Sequence, residues 1–267
     1  MKTIRDFRAI FLFILSALAV LPDGAQAADA ADIVRKSQAA FFEAGQDLQA
    51  RIKMTLSTRE GQRRLRELTM LRKNGSAGEQ KYFIYFHSPA DVAGTTFMVY
   101  KYPNRDDDRW LFIPAINLVN RIAARDSRSS FVGSDFTYED ISGREITADT
   151  HTLMKEEEIA GRKVTLVESK PNSPAEYARK LAWIDQTTFL PLKEEYYDIQ
   201  GALYKVFTAD EIKEIQGFPT AMKRTMADVK TGHKTEAVFE RVQYNVGIGD
   251  DLFSERYLRR PPERWIK

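Results

Sequence analysis

Tyr82-Phe83-Ile84-Tyr85-Phe86 places five large side chains at consecutive positions. The same arrangement recurs in Phe97-Met98-Val99-Tyr100 and in Trp110-Leu111-Phe112-Ile113. Neighbouring side chains of a β-strand point to opposite faces of the sheet, whereas a sheet with one face in water alternates apolar and polar residues. These stretches therefore predict strands that bury both faces, one against a packed helix and the other against a second apolar layer or an apolar ligand.

Strands also dominate the rest of the chain. Residues 48–56 alternate apolar and polar side chains, which is typical of a strand with one buried face, and Asn74-Gly75 is typical of a tight turn. The same criteria predict about a dozen strands in all: residues 48–56, 63–73, 80–87, 95–102, 108–113, 152–159, 162–169, 177–184, 192–198, 203–215, 221–228 and 234–244. An antiparallel sheet of this length should curl strongly and form a concave face.

Helices are predicted at the start and in the middle of the chain. Residues 30–44 carry an apolar stripe at helical spacing and end at Gly45. Residues 114–141 lack the period of a strand, and within them residues 117–122 and 135–141 resemble short helices, the second with Ser134 as its N-terminal cap. We expect this irregular segment to cover the concave face as a lid.

The N-terminus has the pattern of a cleavable export signal. Basic residues within positions 2–8 precede an apolar run over residues 9–21, and Ala25-Gln26-Ala27 has the small residues of a cleavage site. The run is short for a membrane span, which needs roughly 20 residues, although an uncleaved N-terminal anchor is the alternative. We expect residues 1–27 to be removed and residues 28–267 to form a single domain, since large antiparallel sheets often use that length as one unit.

Composition and motifs argue against several classes of function. The formal net charge is +2 and no basic stripe with interleaved aromatic residues indicates nucleic-acid binding. The chain has no cysteine, which excludes disulfides and a lipid-modified cysteine anchor. The three histidines are scattered, and no nucleophile elbow, phosphate loop or dinucleotide fingerprint is present. We therefore expect no enzyme activity, no cofactor and no metal site.

Several motifs resemble the periplasmic outer-membrane lipoprotein-sorting proteins of the LolA-like superfamily. They are Trp110-Leu111-Phe112-Ile113-Pro114, the block FVGSDFTYEDI at 131–141, Trp183-Ile184-Asp185 with Leu190-Pro191-Leu192-Lys193, and Gly249-Asp250-Asp251-Leu252-Phe253. The resemblance extends over about residues 30–258. It implies a mainly β (α+β) fold, in which a strongly curved antiparallel sheet forms an incomplete β-barrel with an N-terminal helix and short lid helices over the concave face.

The resemblance also implies a function, whereas the candidate lining residues follow from the apolar strand positions. In that superfamily the cavity holds acyl chains of a lipoprotein during periplasmic transit, and transfer of an acyl chain from membrane to water costs about 0.8 kcal/mol per methylene. We expect a hollow of several hundred cubic ångströms or more beneath the lid. The expected lipid-binding residues are Phe83, Tyr85, Phe97, Val99, Trp110, Phe112, Trp183 and Tyr204, and the expected lid residues are Leu118, Ile122, Phe131, Phe136 and Tyr138. Because side chains alternate between faces, only about half of the strand positions can face a cavity.

Two alternatives to an acyl-chain carrier remain open from the sequence. The same apolar residues would also fit a solid sandwich core. The chain would then be an interaction module, such as an accessory partner of an inner-membrane exporter of the resistance-nodulation-division type. An enzyme acting on an envelope lipid through Glu139 or Asp140 is the other alternative. The leading expectation is a monomeric periplasmic carrier of lipid or lipoprotein acyl chains that takes its cargo from an inner-membrane transporter.

Overall fold

A computed structural model of the chain describes residues 23–173, 175 and 177–267. The basic and apolar parts of the predicted export signal lie outside these residues. Helix α1 (Asp23–Phe42) begins seven residues before the predicted helix and leads into the sheet. Within the described residues, no helix has both the length and the apolar character needed to cross a membrane.

In the described part of the chain, thirteen strands form one antiparallel sheet. The strands are β1 (Asp47–Ser57), β2 (Arg63–Asn74), β3 (Gln80–Ser88), β4 (Thr96–Lys101), β5 (Asp108–Ile113), β6 (Leu118–Ile122), β7 (Asp149–Ile159), β8 (Arg162–Pro171), β9 (Arg179–Asp185), β10 (Pro191–Tyr197), β11 (Leu203–Ile215), β12 (Phe218–Asp228) and β13 (Lys234–Tyr244). Three further short helices are α2 (Tyr138–Ser142), α3 (Glu255–Arg259) and α4 (Glu263–Ile266).

The order of the strands explains how the sheet is laid out. The order across the sheet is β6-β5-β4-β3-β2-β1-β13-β12-β11-β10-β9-β8-β7. The chain therefore enters at the centre, moves outward by hairpins to one edge at β6, and returns by hairpins from the opposite edge at β7. The two edges are not paired with each other, so the curved sheet is an incomplete barrel, as predicted.

Residues 123–148, hereafter the covering segment, connect the two edges. This connection contains short 3₁₀ turns and α2, and its side chains join the core of the concave face. Because β6 and β7 lie at opposite ends of the sheet, the chain must cross the open side of the barrel to link them. The topology itself thus puts the irregular segment over the concave face.

Two local predictions in this region are wrong. Residues 118–122 form the edge strand β6 instead of a helix, because Val119 and Ile122 pair with Phe112 and Arg109 of β5. Helix α2 begins at Tyr138 and has Thr137 as its N-cap in place of the predicted Ser134. Strand pairing is a tertiary effect that local sequence reports poorly.

Both faces of the first half of the sheet are buried, for two different reasons. On one face, residues from β1 to β6 and from β10 to β13 meet in a single core, which identifies that face as the concave interior. On the other face, the C-terminal segment packs Phe253 and Leu258 against Phe83 and Met98. The two-sided apolar strands of the sequence are explained by an interior and by this C-terminal cover.

Candidate functional site

A cavity of about 160 Å³ lies between α1, the concave face and the covering segment. Its walls are mostly apolar. They include Ile52 and Met54 of β1, Met70 of β2, Met226 of β12, and Phe131 of the covering segment. Methionine side chains are flexible and polarizable, and they suit a wall that adapts to different shapes.

The cavity is smaller than the expected hollow. Pockets for small molecules are typically about 300–1,000 Å³, so 160 Å³ does not accommodate a long acyl chain. Most of the interior is filled by side chains of the concave core. In this conformation the covering segment is closed over the sheet, and a larger ligand requires it to move.

Polar contacts hold the covering segment to both arms of the sheet. Arg66 of β2 donates a hydrogen bond to the Val132 carbonyl, and Lys101 Nζ of β4 donates to the Gly143 carbonyl at 2.9 Å. On the other arm, Lys205 Nζ of β11 lies 2.6 Å from Asp140 Oδ2. Segments can open locally without unfolding the sheet on which they pack, so contacts of this kind are compatible with a reversible closure.

A second pair of hydrogen bonds joins the covering segment to β13. The Asp135 backbone N–H donates to Thr235 Oγ1 at 3.0 Å, and the Thr235 hydroxyl donates to Asp135 Oδ2 at 2.6 Å. Thr235 is fully buried. These reciprocal bonds fix the segment above the centre of the sheet.

An aromatic cluster closes the cavity from above. The ring centroid of Phe131 lies 5.4 Å from that of Phe97, 5.8 Å from that of Phe86 and 5.6 Å from that of Tyr138. Burial raises the pKa of the Tyr138 hydroxyl, which therefore stays neutral. The contacts are edge-on or tilted, the arrangements that aromatic pairs prefer.

Glu139 and Asp140 have structural partners. Asp140 accepts hydrogen bonds from the Thr137 backbone N–H at 2.7 Å and from the Thr137 hydroxyl at 2.8 Å, which completes a capping box at the start of α2. Glu139 Oε2 accepts from Arg144 at 3.2 Å. These contacts give both carboxylates a structural role in the covering segment.

Charged side chains interrupt the mostly apolar lining: Arg72, Arg144, Arg224 and Lys180 line the cavity together with Glu139, Asp140 and Glu194. Arg72 of β2 donates to the carbonyl of Phe42 at 2.6 Å and to the carbonyl of Ala44, which ties the end of α1 to the sheet. Arg224 of β12 has its guanidinium carbon 4.1 Å from the ring centroid of Phe41 and 4.2 Å from that of Phe239. The cavity therefore has a positively charged region.

Several of the predicted site residues lie on the concave side. Phe97 and Val99 are fully buried in the concave core beneath the covering segment, without lining the cavity, and Tyr204 packs against the edge of that core. The predicted lid residues are distributed unevenly: Phe131 and Phe136 line the cavity, Tyr138 and Ile122 lie in the surrounding core, and Leu118 is exposed on β6.

The other predicted lining residues lie elsewhere, which corrects the predicted lining. Phe83, Tyr85, Trp110 and Phe112 are on the convex face against the C-terminal segment. Trp183 belongs to a separate cluster, and its indole N–H donates to Glu157 at 2.9 Å. The reason is strand alternation: where both faces are apolar, the sequence does not say which phase points inward.

A signal that identifies the inner face was present in β1. Only one face of β1 is apolar, and Ala50, Ile52 and Met54 all lie on it. In the sheet, Ala50 is directly opposite Met70 of β2. Met70 in turn pairs with Ile84 of β3. Directly opposed residues share a face, so following the register from β1 selects Ile84 and its neighbours two residues away in place of Phe83.

The comparisons with known proteins agree with this fold. The chain is 28% identical to an outer membrane lipoprotein-sorting protein domain, so described, from Vibrio parahaemolyticus, with a TM-score of 0.81 over 87% of this chain and 99% of that one. It is also 28% identical to a DUF1329 family protein from Desulfovibrio piger, with a TM-score of 0.80 over the same shares of the two chains.

A more distant structure shares the fold. A LolA superfamily protein from Nitrosomonas europaea is 20% identical, with a TM-score of 0.67 over 85% of this chain and 98% of that one. A search of curated proteins gave no match. A protein-family model described as "-like: Uncharacterized protein" matches residues 78–260. The chain therefore belongs to the family that this model defines, and its fold is that of the LolA-like lipoprotein-sorting proteins.

Proposed function

We propose that the protein is a non-enzymatic carrier, which binds an acyl chain of a lipid or lipoprotein between the concave face and the covering segment. The observation that carries this proposal is a mostly apolar cavity beneath the covering segment, which packs on the sheet through an aromatic cluster and a small set of polar contacts. The similarity to a lipoprotein-sorting domain of Vibrio parahaemolyticus supports the same class of ligand.

Carriage requires the cavity to expand. Burial of a chain of twelve methylenes releases about 10 kcal/mol at 0.8 kcal/mol per methylene, which is sufficient to offset the loss of several hydrogen bonds of about 1 kcal/mol each. The chain would replace Phe131 against the sheet and contact Ile52, Met54, Met70, Ile84 and Met226. The same residues close upon one another when the ligand leaves, so the empty carrier does not expose its interior.

We place this carrier in the periplasm, exported by a signal at residues 1–27 and acting as one domain of residues 28–267. The predicted signal pattern and the absence of cysteine support this location. An inner-membrane transporter is the proposed donor, and a monomer is the proposed state. Fractionation of cells that express the chain, followed by N-terminal sequencing of the product, tests the location.

Native mass spectrometry of the purified protein tests carriage directly. We expect a fraction of the protein to retain a bound lipid and the apo protein to bind a neutral fluorescent probe such as N-phenylnaphthylamine. Met226→Trp should abolish both, because it fills the cavity. Met98→Trp is the matched control, since Met98 is equally buried at 1% exposure but lies on the convex face.

The outcomes separate a carrier from a solid core. Loss of lipid and probe in Met226→Trp alone supports carriage. Protein that never carries lipid and ignores the probe contradicts it. Equal probe binding by Met226→Trp and the wild type would show that the ligand binds elsewhere.

A second candidate function has one observation in its favour. Strand β6 is an edge of the sheet. Its first residue, Leu118, is 47% exposed, and Ile116, two residues before it, is 64% exposed. An exposed edge with apolar side chains is a surface on which another protein can dock. An accessory partner of an exporter would crosslink to a transporter through a photoreactive residue at position 118, with no lipid bound.

A further inference from the structure

Arg224 is a half-buried residue of the cavity wall that has no ion-pair partner among the described residues. Its guanidinium is in contact with the rings of Phe41 and Phe239, and its Nε is a buried donor that has no hydrogen-bond partner. Among the described residues, no carboxylate forms an ion pair with it and no carbonyl accepts a hydrogen bond from it. This arrangement is uncommon, because a buried donor is normally hydrogen-bonded and a partly buried charge in a protein interior is normally paired.

The Nε atoms of Arg72 and Arg109 are also buried donors without a partner, but the terminal nitrogens of both arginines have acceptors. Arg109 lies 2.6 Å from Asp107, with both side chains buried, and Arg144 lies 2.9 Å from Asp149. Arg72, which lines the same cavity, donates to two backbone carbonyls at the end of α1. Arg224 differs from these residues because its guanidinium contacts two aromatic rings and has no carboxylate or carbonyl partner among the described residues.

The groups around Arg224 do not neutralise it. The electrostatic neighbours that act on it are Tyr244, Tyr82 and Arg72. Burial raises the pKa of Tyr82, whose hydroxyl donates to Gln80 at 3.2 Å, so this phenol is uncharged. Arg72 adds a second positive charge. Burial lowers the pKa of Arg224 to about 10, which leaves it protonated at neutral pH.

Contact with aromatic rings explains only part of this arrangement. A cation–π interaction uses the flat faces of a guanidinium, whereas its five N–H donors point outward in the plane of the group. These donors form a fork that matches the oxygens of a carboxylate or a phosphate. Phe41 and Phe239 would thus hold the fork in place for such a group.

We propose that Arg224 binds the negatively charged head group, a carboxylate or a phosphate, of an amphiphile whose chain occupies the cavity. This inference rests on the proposed function and adds the class of cargo to it. The ester and amide groups next to the acyl chains of a lipoprotein are neutral, so an arginine at this position selects an anionic lipid such as a fatty acid or a phospholipid.

Displacement of N-phenylnaphthylamine from the purified protein by matched twelve-carbon ligands tests this proposal. The ligands are dodecanoate, dodecyl phosphate and the neutral 1-dodecanol, with inorganic phosphate as the chain-free arm. We expect the anionic amphiphiles to displace the probe at concentrations at least tenfold lower than 1-dodecanol, and inorganic phosphate to have no effect.

Variants separate the charge from the packing. Arg224→Met should remove the tenfold preference for the anionic ligands over 1-dodecanol, whereas Arg224→Lys should retain part of it because the charge remains. Arg241→Met is the matched control, since Arg241 is exposed on the neighbouring strand β13. Thermal unfolding of each variant checks that it is folded, and Arg224→Lys provides the test if Arg224→Met does not fold.

Each result decides the matter. Equal displacement by dodecanoate and 1-dodecanol in the wild type overturns the role of Arg224 while leaving the carrier intact. A preference that survives in Arg224→Met, or competition by inorganic phosphate as strong as that by dodecyl phosphate, also overturns it. If no ligand displaces the probe and none binds, the proposed function fails and this inference fails with it.

Discussion

Replacing Lys205 by methionine should loosen the covering segment without unfolding the sheet. Lys205 Nζ lies 2.6 Å from Asp140 Oδ2, and the two side chains are only 12% and 15% exposed. Hydrogen bonds to charged groups contribute about 1.5–3 kcal/mol. Methionine keeps the length of the side chain, so the loss is mainly electrostatic.

The expected loss of free energy depends on the hydrogen bonds that Asp140 keeps in Lys205→Met. Asp140 still accepts from the backbone and the hydroxyl of Thr137, so it is not left without partners. We therefore expect a loss of about 2 kcal/mol, which corresponds to a roughly 30-fold larger open population of the covering segment.

Hydrogen–deuterium exchange measures this population. Amides such as that of Gly143, which donates to the Glu139 carbonyl, should exchange about 30-fold faster in Lys205→Met, while amides of β1 should keep their rates. Lys223→Met is the matched control: Lys223 pairs with Glu236 at 2.9 Å, but these side chains are 31% and 32% exposed and the pair lies within the sheet. Unchanged exchange in the covering segment, or an equal increase in both variants, would refute the reasoning.

Three further predictions concern stability. Phe253→Ala should lower the free energy of unfolding by about 3–5 kcal/mol in chemical denaturation, because the side chain is 1% exposed, but folded protein should keep its probe affinity, and a loss of affinity would contradict the assignment of faces. Burial lowers the pKa of His87 from 6.5 to about 4. Neutral His87 therefore contributes its full share to the free energy of unfolding above pH 6.5, and this contribution is lost as the pH falls toward 4, because the unfolded chain binds the proton more tightly. In His87→Gln the urea midpoint should depend less on pH between 6.5 and 4 than in the wild type, whereas substitution of the exposed His233 by glutamine should not change this dependence. The same pH dependence of the midpoint in His87→Gln and the wild type would disprove the prediction. Thr137→Ala removes the N-cap of α2 and should cost about 1 kcal/mol by thermal unfolding, with no change expected if the cap contributes nothing.

The sequence was sufficient to locate twelve of the thirteen described strands along the chain. Strands β11 (Leu203–Ile215) and β13 (Lys234–Tyr244) occupy the predicted residues, because turns such as that at residues 198–201 mark their starts. The covering role of the irregular middle segment was also predictable from its lack of a strand period. By contrast, β6 depends on pairing with β5, which no local pattern reports.

The site was harder to predict than the fold. Phe83 and Ile84 are both fully buried, so burial alone does not separate the convex face from the concave one. The distinction depends on the C-terminal segment, whose Phe253 covers Phe83 from 170 residues further along the chain. Arg224 gave no sequence signal, since its importance lies in the absence of a partner within the fold.

The central claim is that an acyl chain enters only when the covering segment moves. The chain has no cysteine, so a disulfide can be introduced without interference. Asp135 of the covering segment and Thr235 of β13 are suitable positions, because Asp135 Oδ2 and Thr235 Oγ1 are 2.6 Å apart. Each single cysteine variant serves as a control for the double variant.

The decisive measurement is binding of N-phenylnaphthylamine to the Asp135→Cys, Thr235→Cys variant before and after reduction. We predict that the oxidised protein binds little or no probe and that reduction restores the binding of the single variants. Oxidised protein that binds the probe as tightly as reduced protein would contradict the claim, because the cavity would then accept its ligand with the covering segment fixed in place.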